Sequence, residues 1–390
     1  LSVSEKGVRL DSDQVSGPGD IRTEEMLLNM GPQHPSTHGV FRAVIRTDGE
    51  LVLDCEPHIG YLHRCFEKIA ESVSFLQVTP YTDRMDYLAA MNNNLGYCLA
   101  VERLLGVQIP PRAQSIRVMV AELNRIASHL MAFGTYGMDI GAVTPFLYAF
   151  RDREMILKFF ETICGQRLNY NYVRIGGVAK DLPEGMVERV AAFLEYFEPK
   201  IDEYNALLSY NGIFIERTAN VGVISPELAI EYGMSGPVLR GSGVRRDLRR
   251  DDPYCGYEQY EFDVPIGTGE MGRVGDCWDR YMVRVREMKE SVRILGQVLK
   301  RMSDGEVMSK EIKRVIRPPK GEVYVRTENP RGELGYFLVS DGSQNAFRLK
   351  VRAPSFCNIS ILREITRGCM LADLVAIIGS IDIVMGEVDR

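Results

Sequence analysis

Between Met26 and Asp54 apolar and polar residues alternate, as in "VFRAVIRTDGELVLDCEPH", and this is the period of half-buried strands. The break at Asp48-Gly49 is a hairpin signal. From Tyr61 onward the spacing changes. "MDYLAAMNNNLGYCLAVERLLG", "RAQSIRVMVAELNRIASHLMAFG" and "TPFLYAFRDREMILKFFETICG" place apolar residues at three- and four-residue intervals, which predicts helices. Pro110-Pro111 opens the second of these, and glycines follow several ends. Another helix is expected from Met186 to about Leu208, then a mixed segment with a strand-like "YEFDVPI". A long amphipathic helix follows, "CWDRYMVRVREMKESVRILGQVLKRM". Beyond the linker "VIRPPKGE", "EVYVRTENPRGELGYFLVSDG" and "AFRLKVRAP" read as strands with Gly and Asp turns. The chain closes on a helix-like apolar run, "MLADLVAIIGSIDIVMGEVDR". The expected fold class is α+β, a central bundle of long helices flanked by β pieces from both ends. The expected division is a polar extension over 1–24, a β region over 25–60, a helical bundle over 61–310 with its mixed segment at 211–275, and a β region with a terminal helix over 311–390.

Composition narrows the function. A chain of 390 residues, 45% of them hydrophobic, holds one large core or two domains. The 47 basic and 53 acidic residues are interspersed, so the net charge of -6 points to no nucleic-acid partner. The basic run "GVRRDLRRDD" (Gly243 to Asp252) contains its own acids and is expected at a solvated or interface surface. No apolar stretch approaches the ~18 residues of a spanning helix, so any membrane contact is expected to be indirect. The first residues, "LSVSEKGVRLDSDQVSGPGD", are polar, unlike a signal peptide, and are expected to be poorly ordered or draped on a partner. The cysteines at 55, 65, 98, 164, 255, 277, 357 and 369 form no C-x-x-C pair and read as reduced single thiols.

Candidate chemistry begins with "GPQHPSTHGV". His34 and His38 are four apart, as in a zinc-binding helix. Pro35 disfavours the α region at His34, however, and Pro32 and Gly39 argue for a loop. Two readings stand. The histidines hydrogen-bond backbone in a turn, or the loop presents an imidazole as a proton donor. "GTGEMG" (Gly267 to Gly272) matches G-x-G-x-x-G, but its last glycine does not open a helix and no parallel strand with an acid follows, so it reads as a loop. "GSG" (Gly241 to Gly243) lacks the pattern of a nucleophile elbow. In "PYTDRMDY", Tyr87 is expected just inside a helix, near Arg84 and Asp86. It is either an amphipathic core tyrosine or a phenol donor. Asp139, in the Gly-rich "GMDIGAVTPF", caps a helix, pairs with a cation, or orients an imidazole.

Several of these stretches occur together in a known order. "GPQHPSTHGV", "HIGYLHRCFEK", "MDIGAVTPF", "YVRIGGVAKDLP", "FDVPIG", "RGELGYFLVSDG" and "MGEVDR" resemble the family of D-type subunits of respiratory complex I, NADH–quinone oxidoreductase, from about Glu25 to Arg390. That family is related to the large subunits of nickel–iron hydrogenases, whose two C-x-x-C pairs hold the metal. Their positions match Asp86 to Ala89 and Val384 to Glu387 here, where no thiolate stands. Nickel requires soft sulfur ligands in such a site, so no metal site is expected, only the emptied pocket. The resemblance implies that His38 and Tyr87 bond the quinone carbonyls and that Asp139 is the acid coupled to His38. It places His34, Thr37, Gly39, Asp86, Val384 and Met385 around the headgroup. Arg64 and Asn169 would lie near a 4Fe-4S cluster on an adjacent subunit. Relatives often have histidine at the position of Asn169 and glycine at that of Cys65, and some carry a longer helical insert before "PPKGEVY".

The function so implied is quinone reduction in the peripheral arm of a proton-pumping complex. Quinone would be the substrate, and no cofactor would be bound by this chain alone. Expected partners are the other complex I subunits, namely the cluster-bearing B-type, the C-type and the membrane-embedded H-type subunits, on the cytoplasmic side of the membrane. The alternatives are a hydrogenase-like metal enzyme subunit and a non-catalytic scaffold.

Overall fold

In the computed structural model, which describes residues 25–390, the N-terminal alternation forms an antiparallel sheet. The extension expected over 1–24 lies outside the described residues. Strands β1 (Glu25–Met30), β2 (Arg42–Asp48) and β3 (Leu51–His58) pair in that order. The β2–β3 hairpin turns at Gly49-Glu50, with Gly49 at φ 57°, a left-handed conformation that glycine adopts without strain. Residues 31–41 leave the sheet as a connection, so the strand pattern expected from Met26 is interrupted where His34 and His38 lie.

The helical pattern follows. Helices α1 (Phe66–Ser72), α2 (Phe75–Thr82), α3 (Ala90–Leu105), α4 (Pro111–Asp139) and α5 (Val143–Cys164) precede two short strands, β4 (Val173–Arg174) and β5 (Gly177–Val178). Helix α6 (Met186–Tyr204) ends in a wider turn, Asn205–Ser209. Short helices α7 (Gly212–Thr218), α8 (Pro226–Glu231), α9 (Gly236–Gly241) and α10 (Leu248–Asp251) lead to α11 (Cys277–Arg301). Strands β6 (Gly321–Asn329), β7 (Gly332–Ser340) and β8 (Arg348–Arg352) make a second three-stranded antiparallel sheet. Helices α12 (Pro354–Ile359), α13 (Leu362–Thr366), α14 (Leu371–Ile381) and α15 (Met385–Asp389) end the chain. This is the expected α+β architecture, a helical centre between two sheets.

Four local expectations are corrected. Tyr87 lies in a turn, not inside α3. The Asp86 carboxylate accepts the N–H groups of Leu88 (3.1 Å) and Ala89 (3.2 Å), and this competes with helix formation. "YEFDVPI" is extended but joins no sheet, because side chains satisfy its backbone. Gln297 takes the N–H of Glu261, Glu290 takes that of Asp263, and Arg250 donates to the Phe262 carbonyl. The basic run is only partly at the surface. Asp247 and Arg249 are fully buried, and Arg249 bonds Asp247 at 2.7 Å and Glu122 at 3.1 Å. The terminal apolar run is broken by Asp382, at φ 57°, into α14 and α15.

The centre of α4 is buried on all sides, so its polar residues need partners. Arg117 forms a bidentate pair with Glu102, at 3.0 and 2.5 Å. Glu122 accepts from Arg249, Tyr257 (2.6 Å) and Ser291 (2.7 Å), which ties α4 to the mixed segment and to α11. A second hydrophobic core joins the two ends of the chain. Phe41, Ile45 and Val52 pack with Ile377, Ile381 and Met385. Main-chain bonds from Val52 to Cys369 (2.9 Å) and from Gly368 to Val52 (2.8 Å) fix this docking. It seats the 31–41 connection against α14.

Removing the Glu122 carboxylate strands Arg125 without a counter-charge and leaves Arg249 with Asp247 alone. Glu122→Ala is expected to destabilise the fold by about 3–5 kcal/mol in denaturant unfolding. Burial opposes ionisation of Glu122, but Arg125 and Arg249 hold its pKa down from 4.5 to about 2. Its contribution is therefore full above its ordinary value and is lost as pH falls toward 2, a loss that the Ala variant should not show.

Candidate functional site

His34 opens the turn on which the site is built. It caps a single 3-10 turn, Pro35–Thr37, by accepting the Ser36 N–H on Nδ1 at 3.2 Å. Its side chain is exposed, so for His34 the backbone-bonding reading holds. Thr37 is buried and its hydroxyl donates to the His34 carbonyl at 2.6 Å, closing the turn. The chain then passes through two left-handed residues, His38 at φ 50° and Gly39 at φ 120°. This reversal aims His38 inward.

The His38 imidazole Nε2 lies 2.6 Å from Oδ2 of Asp139, at the C-terminal end of α4, with only 12% and 4% of the side chains exposed. The carboxylate fixes the ring. With Nε2–H donating to Asp139, the free Nδ1 is the position that can hold and release a second proton. Gly39 adjoins Met385, since a Cβ built on it would lie 3.5 Å from the Met385 side chain. Val384 and Met385 are themselves buried and form the floor beneath the loop.

Tyr87 stands on the turn before α3, beside Asp86 and within the influence of Arg331. It is half-buried, and burial raises its pKa above the usual 10, so it remains a phenol at neutral pH. Beside it, Asp86 is fully buried and bonds Arg331 Nη1 at 2.7 Å. Arg331 also donates to Asp382 at 3.3 Å and to the Ser128 hydroxyl at 3.0 Å. Burial opposes the charge of Asp382, but Arg331, Arg284 and, to a lesser degree, His129 and His38 hold its pKa below the usual range. Asp86, Arg331 and Asp382 thus form a charged bridge between the Tyr87 turn and the break after α14, where Asp382 feels the charge of His38.

Arg64 and Asn169 lie elsewhere, on an outer face. Exposed Arg64 donates to the Arg84 carbonyl at 2.8 Å. Arg84 and Asn169 both line a cavity of about 430 Å³ with Pro80, Leu168 and Arg174. The Asn169 side-chain oxygen is buried there without a partner. Cys65 takes φ 56°, a conformation for which glycine is better suited. In "GTGEMG" the backbone is already engaged. The N–H groups of Thr268, Gly269 and Gly275 point at the Asp279 carboxylate, where a phosphate would otherwise sit. Among the described residues, no group of three or more His, Cys, Asp or Glu is arranged to hold a metal ion.

A family model described as "Respiratory-chain NADH dehydrogenase, 49 Kd subunit" matches residues 139–318 and 310–390. The chain is 54% identical over 386 residues to the D-type subunit of NADH-quinone oxidoreductase from Chlorobaculum tepidum, covering 98% of this chain and 96% of that one. This chain belongs to that family. Its members include the D-type subunit of Chlorobium luteolum, 54% identical over 95% of each chain, and a D-type subunit of Cytophaga hutchinsonii, 53% identical over 95% of this chain and 97% of that one. Around Asp86 stand charged residues to which sequence reasoning gave no role in the site. Arg331 sits at the tip of the β6–β7 hairpin, where a charged side chain reads as solvated. Asp382 was marked only by being an acid in an apolar run, and Glu387 only as one of the four positions that match the hydrogenase ligands.

The His38–Asp139 contact depends on close packing from α14. A Cβ on Gly379 would lie 2.7 Å from the Tyr136 ring and 3.1 Å from Asp139 Oδ2. Gly379→Ala is therefore expected to cost about 1–3 kcal/mol of stability and to lengthen the His38–Asp139 distance, measurable by thermal unfolding and by structure determination of the variant.

Proposed function

We propose that this chain forms the quinone-reducing site of a proton-pumping NADH–quinone oxidoreductase, in the peripheral arm on the cytoplasmic side of the membrane. Reduction of a quinone takes two electrons and two protons. Electrons arrive by tunnelling from a 4Fe-4S cluster on the adjacent B-type subunit, which would face Arg64 and Asn169. The protons need donors at hydrogen-bond distance. His38 gives one from Nδ1 while Asp139 keeps hold of Nε2, and Tyr87 gives the other from its hydroxyl. Thr37 and His34 hold the loop that carries the imidazole. Gly39 leaves room above Met385 and Val384, and Asp86 steadies the Tyr87 turn.

The observation that carries this reading is the 2.6 Å His38–Asp139 pair, with a neutral, half-buried phenol at the other side of one charged bridge. A second feature supports it. Just past Asp139, a cavity of about 390 Å³ is lined by Ile140, Val143, Pro145, Leu208, Ile213 and Phe214. Met138, Val143, Leu147 and Ile213 expose 41–73% of their surface there. Apolar exposure on this scale suits the tail of a lipid quinone or the flank of the membrane-embedded H-type subunit. No described helix is long and apolar enough to cross a membrane, so this chain's own membrane contact is indirect, through that neighbour, with the C-type subunit completing the arm. A nickel centre does not fit. Of the four matching positions, Ala89 and Val384 are apolar, Asp86 is engaged by Arg331, and Glu387 by Ser355.

His38→Ala and Tyr87→Phe should each lower quinone turnover of the intact complex by about 10²-fold or more. Electron transfer from NADH to an artificial acceptor upstream of the site should be unchanged. Normal quinone turnover in both variants would remove the donor assignment.

A further inference from the structure

Three buried carboxylates, Asp86, Asp382 and Glu387, surround Arg331, and none exposes more than 5% of its surface. Their partners differ. Asp86 receives two backbone N–H groups on Oδ1 and Arg331 on Oδ2. Asp382 receives Arg331 on Oδ1, and its Oδ2 lies 3.6 Å from Arg284. Each of these acids has a cation in contact. Glu387 forms no such pair. Its Oε2 accepts the N–H of Ser355 at 3.1 Å and the Ser355 hydroxyl, while Oε1 is buried with no partner.

The groups facing Glu387 come from several elements. Asp86 lies on the turn before α3, Arg331 on the hairpin tip, Tyr336 on β7 and Ser355 on α12. The one cation among them is already shared by Asp86 and Asp382. An ionised Glu387 would be an uncompensated buried charge beside a second carboxylate, which costs several kcal/mol. A proton on Glu387 removes that cost.

We propose that Glu387 is a neutral carboxylic acid in the resting protein and the proton reserve that restores Tyr87 after it has donated to quinone. This rests on the donor roles given above. Burial and then repulsion from Asp86 push Glu387 up to about 7. Burial raises Asp86 as well, against the pull of Arg331. The two acids hold one proton between them, and the hydrogen bonds place it on the acid without a cation. When the Tyr87 O–H bond breaks, the proton goes to the quinone oxygen and a phenolate remains. The Glu387 O–H bond then breaks, and its proton passes to the phenolate across the Tyr87 turn, against which the Glu387 backbone packs, since a Cβ on Gly386 would lie 2.6 Å from the Met85 carbonyl. That transfer is downhill, because burial makes Tyr87 a weaker acid than an ordinary phenol. Glu387, left as a carboxylate, is refilled from water. No electrons move in this step. Glu387 acts through Tyr87 and is a positioning and proton-holding group.

The test uses the intact complex carrying Glu387→Gln, which keeps an acceptor for Ser355 but has no acidic proton. In pH-difference infrared spectra, the unsubstituted complex should show a neutral carboxyl band that fades as pH rises through about 7. The band should be absent from the glutamine variant; its persistence overturns the assignment. Glu387→Asp should shift the band rather than remove it. An unshifted band there also overturns the assignment, even if the glutamine variant does not assemble. Quinone turnover in Glu387→Gln should fall about tenfold and lose its alkaline limb near neutrality, with upstream electron transfer intact. Unchanged turnover and an unchanged pH profile would overturn the reserve role. If His38→Ala and Tyr87→Phe turn over normally while the Glu387 band behaves as described, the donor roles fail and the neutral acid stands, so the two failures are separable.

Discussion

The buried guanidinium of Arg331 is the constraint on which the site depends. It is 1% exposed at the tip of a hairpin, and it bonds Asp86, Ser128 and Asp382 while its carbonyl accepts from Asn358 at 3.1 Å. The turn before α3, the middle of α4, the break after α14 and helix α12 converge on one residue. Such an array adds little net stability, because desolvation offsets most of the attraction. What it supplies is geometry, since a planar donor fork is satisfied by few arrangements of its partners. The hairpin reaches this depth because glycines meet along its approach. A Cβ on Gly236 would lie 2.4 Å from Gly332.

The other half of the site depends on the meeting of the chain ends. His38 reaches Asp139 because the N-terminal sheet and α14 share a hydrophobic core, and because Gly379 lets α14 lie against the end of α4. The left-handed backbone at His38 carries a strain of about 1–2 kcal/mol, offset by the Thr37 and His34 bonds that close the turn. Rigidity there has a chemical use. In the donor role proposed for His38, an imidazole that keeps Nε2–H on a carboxylate would present the same nitrogen to a substrate at every turnover.

Many of the buried acids and bases of this chain fall into two sets of ion pairs. One runs from Asp86 and Arg331 through Asp382 to Arg284, and the other joins His129, Glu287, Arg240, Glu328, Asp247, Arg249 and Glu122. Within the second set, the run "GVRRDLRRDD" shows where local reading fails. A sequence of alternating charge is the same on a wet surface and in a paired interior. Only the presence of Glu122 and Glu328 opposite decides that Arg249 and Asp247 are buried. The segment 260–266 fails for a related reason. Its extended backbone is real, but side chains of α11 and not a strand satisfy it.

The sequence by itself determined the long helices, the two hairpins, the loop at His34 to His38 and the absence of thiolate ligands. These follow from periodicity, from proline and glycine, and from side-chain chemistry, all of which act over a few residues. Tertiary structure decided which polar residues meet. The pairing of His38 with Asp139, the bridge from Asp86 through Arg331 to Asp382, and the cation-free position of Glu387 join positions far apart in the chain. Their energies arise only when burial removes water and leaves each charge dependent on the neighbour that packing brings to it.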